Sequence, residues 1–169
     1  MAEDTKKASA QEPKTQLLRS RWVGRAAELA QQRQPLYNSE VRPLRDRLHR
    51  TILFSASNAL LNGHPDERLP NTLNLSFPGI DSTKLQAAVR DRVACSTGCG
   101  CHAGKTAPSP TLLALGRDEG LATAALRLTL GLETTEDEID EAASVIASAV
   151  RDTLAGANST VELSTEQRS

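Results

Sequence analysis

The 169-residue sequence predicts a small α/β domain of the α+β kind, a small sheet flanked by helices. Three observations carry this. Two short segments, "TLNLSF" and "AALRLTL", alternate apolar and polar residues with the period of a half-buried strand. Longer segments before, between and after them place apolar residues three and four apart, the spacing of amphipathic helices. Strands and helices therefore interleave, with few strands and long helices, so the helices are expected largely on one side of the sheet.

The first ~16 residues are polar, and a chain without apolar residues to bury is expected to stay disordered. From Leu17 to about Ala30, "LLRSRWVGRAAELA" combines helical spacing with good helix formers. Pro35 interrupts it. Val41, Leu44, Leu48 and Ile52 then resume an apolar helical stripe, with Pro43 near its start, where a missing backbone donor is tolerated.

"NGHPDERLPN" is dense in turn formers, and it leads into the first predicted strand, with Leu73, Leu75 and Phe77 on one face. Asn71 in the turn and Asn74 on the polar face of the strand are given structural roles. "DSTKLQAAVRD" opens with capping residues and predicts a short helix, and "RVACS" predicts a short strand. "PSPTLLALG", Pro108 to Gly116, predicts a helix entered through prolines and closed by glycine. In "AALRLTL", Leu126, Leu128 and Leu130 share one face, and Arg127 and Thr129 the other. Thr135 and Glu138 have capping-box spacing and open a helix whose apolar face is Ile139, Ala143, Ile146, Val150 and Leu154. Beyond Gly156 the tail is polar. The expected organisation is a lead-in over 1–16, one domain with its linking helix over 17–155, and a tail over 156–169.

Composition excludes several function classes. A net charge of −1 provides no basic field to draw the chain to nucleic acid. Aromatic platforms for base stacking are limited to Trp22, Tyr37, Phe54 and Phe77. No apolar run approaches the ~20 residues of a membrane helix. The N-terminus lacks the apolar centre of a secretory signal, and Glu3, Asp4 and Glu12 argue against a mitochondrial presequence. The expected location is the cytoplasm.

All three cysteines fall in "ACSTGCGCHAGKTAPSP", Ala94 to Pro110. Cys95, Cys99, Cys101 and His102 have the elements of a zinc site but crowd together, and His49 and His64 stand apart, so no metal is expected. A disulfide suits an odd number of cysteines in a reducing compartment poorly. Burial as small filler suits Cys95, which ends the predicted strand. Cys101 is different: it sits among glycines and small polar residues, where a thiol is a liability unless used. His102 and Lys105 are placed to favour its thiolate.

"CSTGCGCHAGKTAPSPTLLALG", followed by "AALRLTLGLETTEDEID", resembles the C-terminal part of the class V aminotransferase-like family, and within it the cysteine desulfurases and selenocysteine lyases. Ser96, Gly98 and Cys101 match the family's Ser-x-Gly-x-x-Cys run. Upstream, "RLPNTLNLSF" matches a family strand, and "GRAAELAQQ" and "VRPLRDRL" resemble the helix linking the large and small domains. The resemblance runs from about Trp22 to Leu154, and "CHAG" with "PSPTLLALG" leans toward the selenocysteine lyase branch.

The resemblance implies the C-terminal domain of a fold-type I pyridoxal phosphate enzyme, one that removes sulfur or selenium from cysteine or selenocysteine and leaves alanine. It implies Cys101 as the nucleophile that receives sulfur as a persulfide, or that protonates or relays selenium; His102 is the local candidate to support its thiolate. It implies Arg127 as the group that holds the substrate carboxylate, whose planar fork suits a bidentate grip. A selenium or sulfur acceptor protein and dimerisation, with itself or with a full-length lyase, follow as expected partners.

The large domain, with its Schiff-base lysine and its cofactor contacts, has no counterpart here. The five lysines are Lys6, Lys7, Lys14, Lys84 and Lys105, and none stands in the cofactor-lysine motif. No residue of this chain is therefore assigned to the cofactor, and the chain alone is expected to be inactive. The alternative is a non-catalytic scaffold that binds a sulfur acceptor or a full-length lyase.

Overall fold

In the computed structural model the structure describes residues 13–97 and 107–166. The chain divides into two compact units at Leu36 and Tyr37. The first contributes helix α1, Pro13–Leu36. The helix begins before Leu17 because proline at a helix start lacks only a donor that would have been unpaired. Pro35 falls inside its last turn rather than ending it. Trp22 and Val23 on α1 are exposed.

The second unit opens with a π-helical turn, Tyr37–Val41, and continues in α2, Arg42–Ser55, with Pro43 in the first turn. The second unit thus begins with a local change of hydrogen-bond register just after Pro35, where the sequence predicts an interruption. Val41, Leu48 and Ile52 are buried and Leu44 partly so, as the stripe predicts.

Four strands follow: β1 (Leu60–Leu61), β2 (Thr72–Ser76), β3 (Ser96–Thr97) and β4 (Ala125–Thr129). They form one sheet in the order β1-β2-β4-β3, with all neighbours antiparallel. Helices α3 (Ser82–Val89), α4 (Pro110–Ala114), α5 (Glu119–Thr123) and α6 (Glu136–Glu166) fill the intervals. The strand expected at "RVACS" lies further on, at Ser96–Thr97. The backbone of Arg92 and Val93 is still donating to Val89 in the turn that ends α3, so it cannot join a ladder there. Helix α6 runs past Gly156 to Glu166. Strand β1 and helix α5 carry no clear periodic signal, being two and five residues long.

The two faces of the sheet differ sharply. Leu73, Leu75, Leu126 and Leu128 point to a core completed by Leu48 and Ile52 of α2, Leu85 and Val89 of α3, and Ile139, Ala143, Ile146 and Val150 of α6. Three helices thus cover one face, as expected. On the other face α4 and α5 cover only the end near Ala125, which packs with Leu112 and Ala122. The remainder of that face is polar.

Local signals hold the elements in place. Asp81 caps α3 by accepting from the backbone N–H of Thr83 and Lys84. Thr135 and Glu138 form the reciprocal capping box of α6, Thr135 N–H donating to Glu138 at 2.8 Å and Glu138 N–H to Thr135 at 3.3 Å. Helix α4 ends on Gly116 at φ +81°, a left-handed conformation that glycine adopts without a Cβ penalty. The N–H of Arg117 then reaches back to Leu112 and that of Gly116 to Leu113, the double closure of a Schellman motif. The glycine thereby sets where the side chain of the next residue, Arg117, meets the end of β1.

Candidate functional site

The polar face is centred on β4. Residues opposite one another in antiparallel strands share a face, with Cβ atoms about 4.5–5.5 Å apart. Register therefore aligns Asn74 of β2, Arg127 of β4 and Ser96 of β3 in one row across three strands. Thr72 and Thr129 form the adjacent row. Arg127 is exposed between the buried Leu126 and Leu128. Among the described residues it forms no ion pair, while Arg45, Arg47, Arg68 and Arg92 each hold a carboxylate. A guanidinium carries five donors and no acceptor, so this row can receive an anion and cannot by itself hold a cation.

At the β1 side of this face lies a buried polar chain. Arg117 Nε donates to Asn62 Oδ1 at 2.9 Å, and Arg117 also donates to the Leu61 carbonyl at 2.5 Å. Asn62 Nδ2 donates to Asn74 Oδ1 and to Ser76 Oγ, each at 2.8 Å. Ser76 donates onward to the carbonyl of Leu121 at 2.7 Å. Asn62 is only 6% exposed and Ser76 is fully buried, so each of these bonds avoids the cost of a buried polar atom without a partner. Asn62 and Arg117 were not singled out in the sequence. They lie 55 residues apart and neither belongs to a periodic or motif-bearing run.

The expected residues Cys101, His102 and Lys105, together with Cys99, lie outside the described residues. Cys95 is half-buried against the core, its carbonyl accepting from Gln86 Nε2 at 2.8 Å, and burial pushes its thiol pKa up. A raised pKa disfavours the thiolate, in keeping with a packing role. His64 accepts from the backbone N–H of Asp66 and Glu67 through Nδ1 and so organises the turn before β2. Asn71 likewise ties that turn to the end of β4: Leu130 N–H donates to its carbonyl at 2.9 Å, as the structural reading of Asn71 expects. Among the described residues no group of three or more His, Cys, Asp or Glu side chains is placed to hold a metal.

Of the described side chains, Lys84 is the lysine that could be considered for a Schiff base. It opens instead into a groove of about 780 Å³ between α3 and α6, beside Asp81 and Asp152, in the helical layer and away from Arg127. The described residues therefore do not fit pyridoxal phosphate by themselves. No helix among them is long and apolar enough to cross a membrane.

No family model matches the chain. It is 38% identical over 128 residues to a cysteine desulfurase, IscS, of Stutzerimonas stutzeri (strain A1501), covering 76% of this chain and 31% of the relative. It is 36% identical over 118 residues to a cysteine desulfurase of Pongo abelii, covering 70% of this chain and 26% of the relative. A solved structure of a NifS-like protein superposes with a TM-score of 0.63 at 26% identity, over 75% of this chain and 32% of that one. The small antiparallel sheet with its helical layer is thus a domain of the class V aminotransferase-like kind. Within that family the chain is a relative of the cysteine desulfurases, corresponding to their C-terminal part. It spans between a quarter and a third of the length of the curated relatives it matches.

Proposed function

We propose that this chain is the C-terminal part of a pyridoxal phosphate-dependent cysteine desulfurase or selenocysteine lyase. In this reading Arg127 grips the α-carboxylate of the amino-acid substrate, and Cys101 accepts the released sulfur. The step balances: cysteine and the Cys101 thiol give alanine and a Cys101 persulfide. His102 supports the thiolate. The observation that carries the reading is the unpaired Arg127 on an exposed polar sheet face, within a segment more than a third identical to cysteine desulfurases. An exposed guanidinium with no ion-pair partner among the described residues is available to an anion, and a carboxylate is the group its planar fork fits.

In this reading the cofactor and its lysine are supplied by the family's large domain, since none of the five lysines stands in the cofactor-lysine motif. The chain alone then turns over neither cysteine nor selenocysteine, and the assembled enzyme works in the cytoplasm as a dimer, passing sulfur or selenium to an acceptor protein. The absence of the cofactor-lysine motif from the sequence also favours a second reading, a scaffold that binds a full-length lyase or a sulfur acceptor without catalysis.

Reconstitution separates the two. The chain is mixed with a separately produced, cofactor-loaded large domain of a cysteine desulfurase, and alanine is measured together with the sulfide that an added thiol reductant releases from the persulfide. Recovery of alanine release that Cys101→Ser abolishes on cysteine supports the enzyme reading, because a hydroxyl cannot carry the sulfur as a persulfide. Arg127→Ala is expected to raise KM more than it lowers kcat, since a carboxylate grip is made in ground and transition states alike. A stable complex with no turnover of either substrate supports the scaffold.

A further inference from the structure

The buried polar chain beside Arg127 has a direction. Arg117 can only donate, so the atom of Asn62 that meets its Nε must be the carbonyl oxygen. The other end of the Asn62 amide is then Nδ2, a donor, and the Asn74 atom that faces it must be the acceptor Oδ1. The amide orientations of both asparagines, ambiguous for an isolated side chain, are therefore fixed by a guanidinium two residues removed. Ser76 agrees, since its hydroxyl accepts from Asn62 and donates to the Leu121 carbonyl.

The consequence falls on Asn74. Asn62 follows β1, on one side of β2, and Arg127 stands on β4, on the other side. With Oδ1 turned toward Asn62, the two N–H bonds of Asn74 Nδ2 are left on the Arg127 side. Among the described residues they have no acceptor. The row thus presents the Asn74 amide N–H₂, the unpaired Arg127 guanidinium and the Ser96 hydroxyl, with no carboxylate among them. A half-buried amide locked to present only donors toward an unpaired arginine is suited to a planar anion.

We propose that Asn74 is a second donor to the α-carboxylate held by Arg127, and that Asn62 is the positioning residue that fixes its amide. The proposal rests on Arg127 being the carboxylate grip. It replaces the purely structural role that sequence reading gave Asn74. If Asn62 no longer donates, Asn74 can flip and turn its oxygen toward the carboxylate, converting attraction into repulsion.

The test uses the chain as it is, labelled with ¹⁵N and titrated with L-alanine, with L-alaninamide as the control that lacks a carboxylate. The expected result is that the side-chain N–H₂ pair of Asn74 and the Nε–H of Arg127 shift along one saturation curve with L-alanine and stay in place with alaninamide. Asn62→Leu is expected to weaken that binding about tenfold while the backbone spectrum of the sheet is retained, the magnitude of one hydrogen bond to a charged group. Asn74→Asp, close in shape, is expected to weaken it at least as much by placing a carboxylate against the ligand's own.

Shifts at Arg127 without shifts at Asn74 would overturn the role of Asn74 and leave the carboxylate grip standing. Equal shifts with alaninamide would overturn it as well, because the recognised group would not be the carboxylate. Absence of shifts at both residues would overturn the Arg127 assignment itself and this inference with it.

Discussion

His49 and its neighbours show how single residues can set a pH response. Its Nε2 is buried without a partner, as are Nε and Nη1 of Arg68. Burial lowers the His49 pKa first, the positive charges of Arg68 and Arg45 lower it further, and Asp46 opposes them. Arg45 itself, 1% exposed, is held by Asp46 and by the carbonyl of Leu69 at 2.8 Å, so the cluster cannot relax by swinging it into water. A histidine with a depressed folded pKa binds its proton more readily when unfolded. The stability it confers is therefore complete above its unfolded pKa of about 6.5 and is lost as pH falls through the lower folded value. The urea midpoint is expected to fall between pH 7 and pH 5, and His49→Gln to flatten that dependence. An unchanged slope in the variant would show that other groups carry the acid sensitivity.

At the scale of elements, α2 and α6 are joined by a clamp at the surface. Arg47 Nε and Nη2 donate to the two carboxylate oxygens of Asp140 at 2.8 and 2.6 Å, and Nη1 donates to Glu136. A two-pronged contact of this kind fixes geometry as well as charge. The hydrogen bond from Arg47 holds the Asp140 carboxyl below its ordinary pKa. With the folded pKa depressed, the clamp stabilises above the ordinary carboxyl range and is lost as pH falls through the depressed value. Because all three side chains are solvated, Asp140→Asn is expected to lower Tm only slightly, less at high salt than at low salt. It should also remove part of the stability loss on acidification below about pH 4. A Tm drop that does not depend on salt would point to a packing role for Asp140.

For the molecule as a whole, the main core is the apolar layer between the sheet and three helices, with Phe77 the one fully buried aromatic among the described residues. Phe77 closes the end of β2, its N–H donating to the carbonyl of Ala124 beside β4. Truncating it leaves a cavity in this layer. Phe77→Ala is expected to cost about 3–5 kcal/mol, read as a lower urea midpoint with little change in slope. A cost below about 1 kcal/mol would mean that the layer collapses around the gap.

The sequence by itself determined the types of the longer elements, their buried faces and the family. Alternation in "TLNLSF" and "AALRLTL", the stripe from Val41 to Ile52 and the Thr135–Glu138 box are local patterns, and local patterns are dictated by 2.0- and 3.6-residue geometry whatever surrounds them. The exposure of Arg127 was legible for the same reason, as a charge alternating with buried leucines, whereas its carboxylate role is an expectation from the family resemblance alone. Tertiary structure alone decided the strand order, the two-residue β1, and the row that brings Asn74 and Ser96 beside Arg127. It also decided the chain from Arg117 through Asn62 to Asn74, whose members come from three segments. Hydrogen-bond direction is a property of a closed network, and no stretch of sequence contains one until the sheet brings its strands together.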